Sequence, residues 1–221
     1  MRVDPGFPAG AVVVFQGDSI THGGRGPTED PNHILGHSYP FLIASSAAAD
    51  WPEQNWQFLN RGSSGDTITN VAARWQQDAL DLRPDVLSIL VGINDVANVL
   101  DGKSADTKGT AFEAEYRSLL DRTRSALPDV RLVLGEPFYL PTSPDPGLRE
   151  AWTAQVAVHA LVVRHLADTF GATFVPYQRA LDDAVTRAPA AHWVWDGIHP
   201  TYAGQRILAD AWILAVTSRA H

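Results

Sequence analysis

The chain alternates short, almost uninterrupted apolar runs with longer amphipathic stretches, and this alternation constrains its fold more than any other feature. The runs are residues 11–15 (AVVVF), 56–60 (WQFLN), 86–91 (VLSILV), 130–135 (VRLVLG) and 172–175 (ATFV). Strands that are apolar on both faces are buried on both, as in a parallel sheet covered by helices. Between the runs the spacing is helical. Residues 67–82 place Ile68, Val71, Ala72, Trp75, Ala79 and Leu82 on one stripe. Residues 110–127, 147–170 and 202–217 read as further helices, and so does the Ala-rich segment 44–49. Leu127-Pro128 and Arg83-Pro84 supply helix stops. The resulting βαβα order predicts an α/β fold with a parallel sheet between helical layers. A length of 221 residues suits one such domain over residues 1–221, without internal repeats.

Composition narrows the chemistry by exclusion. There is no cysteine, so disulfides, thiolate metal sites and a cysteine nucleophile are ruled out. A formal net charge of -8, with no basic cluster interleaved with aromatics, predicts neither nucleic-acid nor membrane-surface binding. The first residues lack a basic start followed by a long apolar stretch, so a cytoplasmic protein is the expectation, with secretion after removal of a signal peptide as the alternative. His33 and His37 are four apart, but Pro31 and Gly36 predict a loop there, and no metal site is expected.

Ligands of open α/β sheets gather beyond the carboxyl ends of the strands, and polar motifs follow three of the runs. The first run leads into Gly17-Asp18-Ser19, the second into Asn60-Arg61-Gly62-Ser63-Ser64-Gly65, and the third into Gly92-Ile93-Asn94-Asp95. Ser19 in such a turn is either a nucleophile or the cap of the helix that follows. A serine nucleophile needs a base that titrates near neutrality and an acid to hold that base's tautomer. Asp196-Gly197-Ile198-His199-Pro200 offers both in one loop, although a lone loop histidine is also compatible with simple solvation. The Ser19 and Gly65 backbone N–H groups and the Asn94 amide are candidate oxyanion donors. Gly65 allows close approach of a substrate, and a neutral amide donates without adding charge. A turn glycine and an Asn-Asp helix cap are the plainer readings of Gly65 and Asn94. Asp18 and Asp66 are expected to order their loops through backbone hydrogen bonds.

Taken in order, Phe15-Gln-Gly-Asp-Ser-Ile-Thr, Ser64-Gly-Asp-Thr67, Gly92-Ile-Asn-Asp95 and Asp196-Gly-Ile-His-Pro resemble the four sequence blocks of the SGNH (GDSL) hydrolase family. The resemblance implies a flavodoxin-like three-layer α/β/α sandwich with a central parallel sheet of about five strands. It implies a catalytic triad of Ser19, His199 and Asp196, an oxyanion hole made by Ser19, Gly65 and Asn94, and metal-free, cofactor-free ester hydrolysis. The α/β-hydrolase scaffold is excluded, because no G-x-S-x-G surrounds Ser19.

Further stretches, among them Ala73-Arg-Trp-Gln-Gln-Asp, Pro137-Phe-Tyr-Leu and Trp195-Asp196, are similar to the intracellular acetylxylan esterase branch of that family. That similarity implies removal of acetyl groups from xylo-oligosaccharides, a small acyl pocket beside a sugar-facing cleft, and a homo-oligomer. Trp195, Trp193 and Tyr139 are candidate sugar-contacting aromatics, and Arg25 a candidate for sugar hydroxyls; core packing and a solvated loop charge are the alternatives. A lipase or thioesterase acting on longer acyl chains is the rival activity. It would want an apolar lid, whereas residues 23–36 are polar and rich in Pro and Gly. A non-catalytic carbohydrate-binding domain is the remaining alternative.

Overall fold

The computed structural model describes residues 6–26, 30 and 33–218. Residues 27–29 and 31–32 of the expected rim loop lie outside the described residues. Five strands, β1 (Val12–Gly17), β2 (Gln57–Asn60), β3 (Val86–Leu90), β4 (Arg131–Gly135) and β5 (Thr173–Val175), form one sheet in the order β2-β1-β3-β4-β5. Every pairing is parallel, and Phe15 of β1 lies between Asn60 of β2 and Ser88 of β3. The strands fall where the apolar runs predict them. This is a flavodoxin-like order, in which the connections leave β1 and β3 in opposite directions and open a crevice at their carboxyl ends.

The helices are α1 (Ser19–His22), α2 (Tyr39–Asp50), α3 (Ile68–Ala73), α4 (Trp75–Asp78), α5 (Ile93–Leu100), α6 (Thr110–Ala126), α7 (Pro146–Thr169), α8 (Tyr177–Val185), α9 (Ala190–Trp193) and α10 (Tyr202–Ser218). No helix among the described residues is long and apolar enough to cross a membrane. Alternate residues of the strands feed two cores. Val13 and Phe15 pack with Tyr39, Ile43, Tyr177, Leu208 and Trp212 from α2, α8 and α10. Val14, Leu87 and Ile89 pack with Val71, Trp75, Tyr116, Leu120 and Leu166 from α3, α4, α6 and α7. Two fully buried indoles find side-chain partners: Trp212 Nε1 donates to Ser88 Oγ at 3.0 Å and Trp75 Nε1 to Thr123 Oγ1 at 2.9 Å, so neither carries an unmade hydrogen bond into the interior.

One element departs from expectation. Residues 67–82 are not a continuous helix but α3, α4 and a 3-10 turn, Leu80–Leu82. The apolar stripe still reaches the core through Ile68, Val71, Trp75 and Ala79. The break falls at Arg74, whose backbone (φ -106°, ψ 9°) leaves helical geometry while its guanidinium bonds the carbonyls of Arg61 and Gly17. Tertiary hydrogen bonds there outweigh the local helical pattern. Helices α5 and α8 are additional to those the spacing predicts.

Candidate active site

Strand β1 ends on Gly17, where any Cβ would collide with the Leu90 carbonyl of β3. Asp18 follows as the N-cap of α1, its Oδ1 accepting from the Ile20 N–H at 3.0 Å. The cap is therefore Asp18, and Ser19 is left free to turn its hydroxyl outward. Ser19 Oγ lies 2.8 Å from His199 Nε2, across 180 residues of sequence.

The histidine loop is built locally. An isolated antiparallel bridge between Val194 and Pro200 closes it at the base. Inside, Asp196 Oδ1 accepts from the N–H groups of Ile198 (3.1 Å) and His199 (2.7 Å), while Oδ2 lies 2.6 Å from His199 Nδ1. Burial would raise the Asp196 carboxyl, but the hydrogen bonds from the His199 imidazole and from the two backbone N–H groups outweigh it and hold it below its ordinary value. The group thus stays ionised beside the imidazole, as an acid that orients a base must. Gly197, at φ 100°, packs so close to the Tyr139 ring that a Cβ there would sit 2.7 Å from Cε2, and its carbonyl accepts from the Leu140 N–H at 2.9 Å. The segment after β4 therefore seats the loop.

The three candidate oxyanion donors come from the loops after β1, β2 and β3. Gly65 is exposed, with φ 84°, a left-handed conformation that favours glycine. Asn94 lies in the first turn of α5, and its Nδ2 donates to the Asp66 carbonyl at 3.0 Å. That bond fixes the amide plane, and the amide nitrogen carries a second N–H. Neither Asn60 nor Arg74 stands out in the sequence, yet both hold these loops. Buried Asn60 donates to the carbonyls of Thr21 (2.7 Å) and Leu35 (2.9 Å) and accepts from the Gly62 N–H (2.9 Å). A polar residue closing an otherwise apolar strand was the available signal. Asp66 differs from expectation: its carboxylate bonds the Arg74 guanidinium at 2.7 Å rather than backbone.

Of the four residues offered as substrate contacts, Trp195 is the one on the surface. It is 65% exposed, and its ring is nearly parallel to the His199 imidazole (20°, 5.9 Å between centroids). Trp193 and Tyr139 must be corrected as sugar-contacting aromatics, being only 7% and 6% exposed. Trp193 is held in the core, with Nε1 donating to the Ala188 carbonyl, and Tyr139 stacks on Trp152 while supporting Gly197. Arg25 is half-buried, its Nε donating to the Gly62 carbonyl at 2.9 Å, which braces the loop after β1 against the loop after β2.

Asp18 is fully buried. Burial, together with the nearby Asp95 and Asp66 carboxylates, pushes it up to about 7 against the lowering effect of the Ile20 N–H bond. Between the unfolded value of 3.8 and about 7, the native state keeps a proton that the unfolded chain releases. The free energy of unfolding therefore falls as pH rises through that window. The Asp18→Asn variant retains the Oδ1 acceptor and removes the charge. Thermal melts should show it more stable than wild type at pH 8, on the order of a few kcal/mol, and equal to it near pH 4. A difference independent of pH would show that ionisation of Asp18 is not the cause.

Ser19, His199 and Asp196 are thus joined by hydrogen bonds at the carboxyl-terminal edge of a parallel sheet in the order β2-β1-β3-β4-β5. Residues 15–207 match the GDSL-like lipase/acylhydrolase family, and the chain belongs to that family. It is a carboxylic ester hydrolase. It is 31% identical over 210 residues to an acetylxylan esterase of Geobacillus stearothermophilus, with 93% of each chain covered. Among solved structures it resembles a proposed GDSL-like lipase from Parabacteroides merdae ATCC 43184 (TM-score 0.89, 33% identity, covering 95% of this chain and 96% of that one). It also resembles Axe2, an acetylxylan esterase from Geobacillus stearothermophilus (TM-score 0.81, 30% identity, 95% of both chains).

Proposed function

We propose that the chain is a serine esterase that removes short acyl groups, acetyl foremost, from carbohydrates such as acetylated xylo-oligosaccharides. The observation that carries this reading is the unbroken chain of hydrogen bonds from Ser19 through His199 to Asp196, with the exposed Trp195 ring set beside it. His199 Nε2 takes the proton as Ser19 Oγ attacks the ester carbonyl. The N–H groups of Ser19 and Gly65 and the Asn94 amide receive the charge that develops on the carbonyl oxygen. His199 then protonates the departing alcohol, and water repeats the sequence on the acyl-serine, releasing the acid. Asp196 keeps the proton on Nδ1, so that Nε2 accepts.

Trp195 supplies a flat apolar face at the mouth of the site, which suits the face of a sugar ring. The similarity to acetylxylan esterases over nearly the whole chain supports that substrate class.

The test is hydrolysis of p-nitrophenyl esters of increasing acyl length alongside acetate release from acetylated xylo-oligosaccharides. The expected result is a sharp preference for acetate and turnover of the oligosaccharide. Preference for long acyl chains would overturn the carbohydrate reading while leaving the serine mechanism. Binding of the acetylated sugar without acetate release would overturn catalysis itself.

A further inference from the structure

We propose that Arg74 is the positioning residue that sets the three oxyanion donors relative to one another; the inference rests on the assignment of Ser19, Gly65 and Asn94 above. Its single guanidinium reaches two different strand-to-helix loops. Nη2 donates to the Gly17 carbonyl (3.3 Å), two residues before the Ser19 N–H. Nη1 donates to the Arg61 carbonyl (2.7 Å), at the start of the loop that carries Gly65. Nε donates to the carboxylate of Asp66 (2.7 Å), the residue directly after Gly65. The Asp66 carbonyl in turn receives the Asn94 amide at 3.0 Å. One planar cation is thereby linked to the backbone beside two donors and, through Asp66, to the third.

Two observations make this link matter. Gly65 has no neighbour within 4 Å of where a Cβ would sit, so nothing packs against it on that side and the hydrogen bonds of its flanking residues matter more to its position. The Arg74 and Asp66 side chains are 21% and 14% exposed, so their pairing is shielded from water and well defined. Asp78 Oδ2, at 2.9 Å from Nη1, is a further partner of the guanidinium. A lysine ammonium, a point donor without a planar fork, cannot reproduce this set of directions.

Misplacing oxyanion donors by a fraction of an ångström affects the transition state more than substrate binding. The experiment measures kcat and KM on p-nitrophenyl acetate for Arg74→Met, Arg74→Lys, Asn94→Ala and the Arg74→Met/Asn94→Ala double variant, with melting curves as a folding control. For Arg74→Met the expected result is kcat lower by about 10- to 100-fold with KM within about twofold. Arg74→Lys should be intermediate. In the Asn94→Ala background the Arg74→Met change should cost less, because the part of its effect that passes through Asn94 is already removed. A folded Arg74→Met variant with a near-normal kcat, or a loss that multiplies undiminished with that of Asn94→Ala, would overturn the inference. If Arg74→Met does not fold, Arg74→Lys with undiminished kcat would do the same. A slow Asn94→Ala beside a fast Arg74→Met would leave the oxyanion assignment standing and remove only Arg74. A fast Asn94→Ala would remove Asn94 from the assignment and, with it, the inference that Arg74 sets all three donors.

Discussion

The Ser19→Ala variant is expected to lower kcat by about a million-fold on any ester that the wild type hydrolyses. Without the Ser19 hydroxyl, which among the described residues is hydrogen-bonded to His199 Nε2, direct attack by water must replace it and forfeits the orientation that the α1 turn provides. The fold should tolerate the change, because the helix cap is made by Asp18 and, among the described residues, the side-chain bond lost is the one to His199. Residual activity above the uncatalysed rate is expected from the oxyanion donors alone. Incubation of the wild type with p-nitrophenyl acetate should give an acetylated protein by mass spectrometry, with the mass absent from the variant. Full turnover in the variant would remove Ser19 from the mechanism.

Asp196→Asn is the sharper probe of the base, with an expected fall in kcat of about ten-thousand-fold. Asparagine is nearly isosteric, so its oxygen can go on accepting from the Ile198 and His199 N–H groups at the Oδ1 position. Its nitrogen then faces His199 Nδ1 and donates to it. The imidazole is driven to the tautomer protonated at Nε2, which can no longer accept from Ser19. The change thus alters protonation while preserving the loop. Melting temperature should move little compared with the kinetic loss, and an unchanged kcat would exclude Asp196 as the orienting acid.

Much of the fold is legible in the residues themselves. The five strands coincide with apolar runs to within one or two positions, because strands buried on both faces leave no polar alternation to confuse the reading. The break at Arg74 is not legible. Its causes are partners 8, 13 and 57 residues away, while locally the spacing is helical. Helix α8 carries a readable stripe of Tyr177, Leu181 and Ala184, but over too few residues to stand apart from a loop.

The site divides in the same way. Ser19, Asn94, Asp196 and His199 belong to short motifs, so their types and order are visible in the amino-acid sequence alone. The three aromatics are not distinguishable by type. Trp193 and Trp195 are two residues apart and differ only because α9 turns one ring into the core while the bridged loop turns the other outward.

The Val194–Pro200 bridge separates two kinds of variation. Asp196 and His199 lie between the bridged residues Val194 and Pro200 and are bonded to each other. Insertions or deletions in the loops between α1 and α9, outside the segment around residues 139–140, can reshape the rim without changing how the imidazole is held. Only the seat of that loop against the 139–140 segment and its alignment with α1 must be conserved together. On the proposed mechanism, such a chain could exchange one alcohol or acyl partner for another through loop changes alone, with the histidine loop left intact.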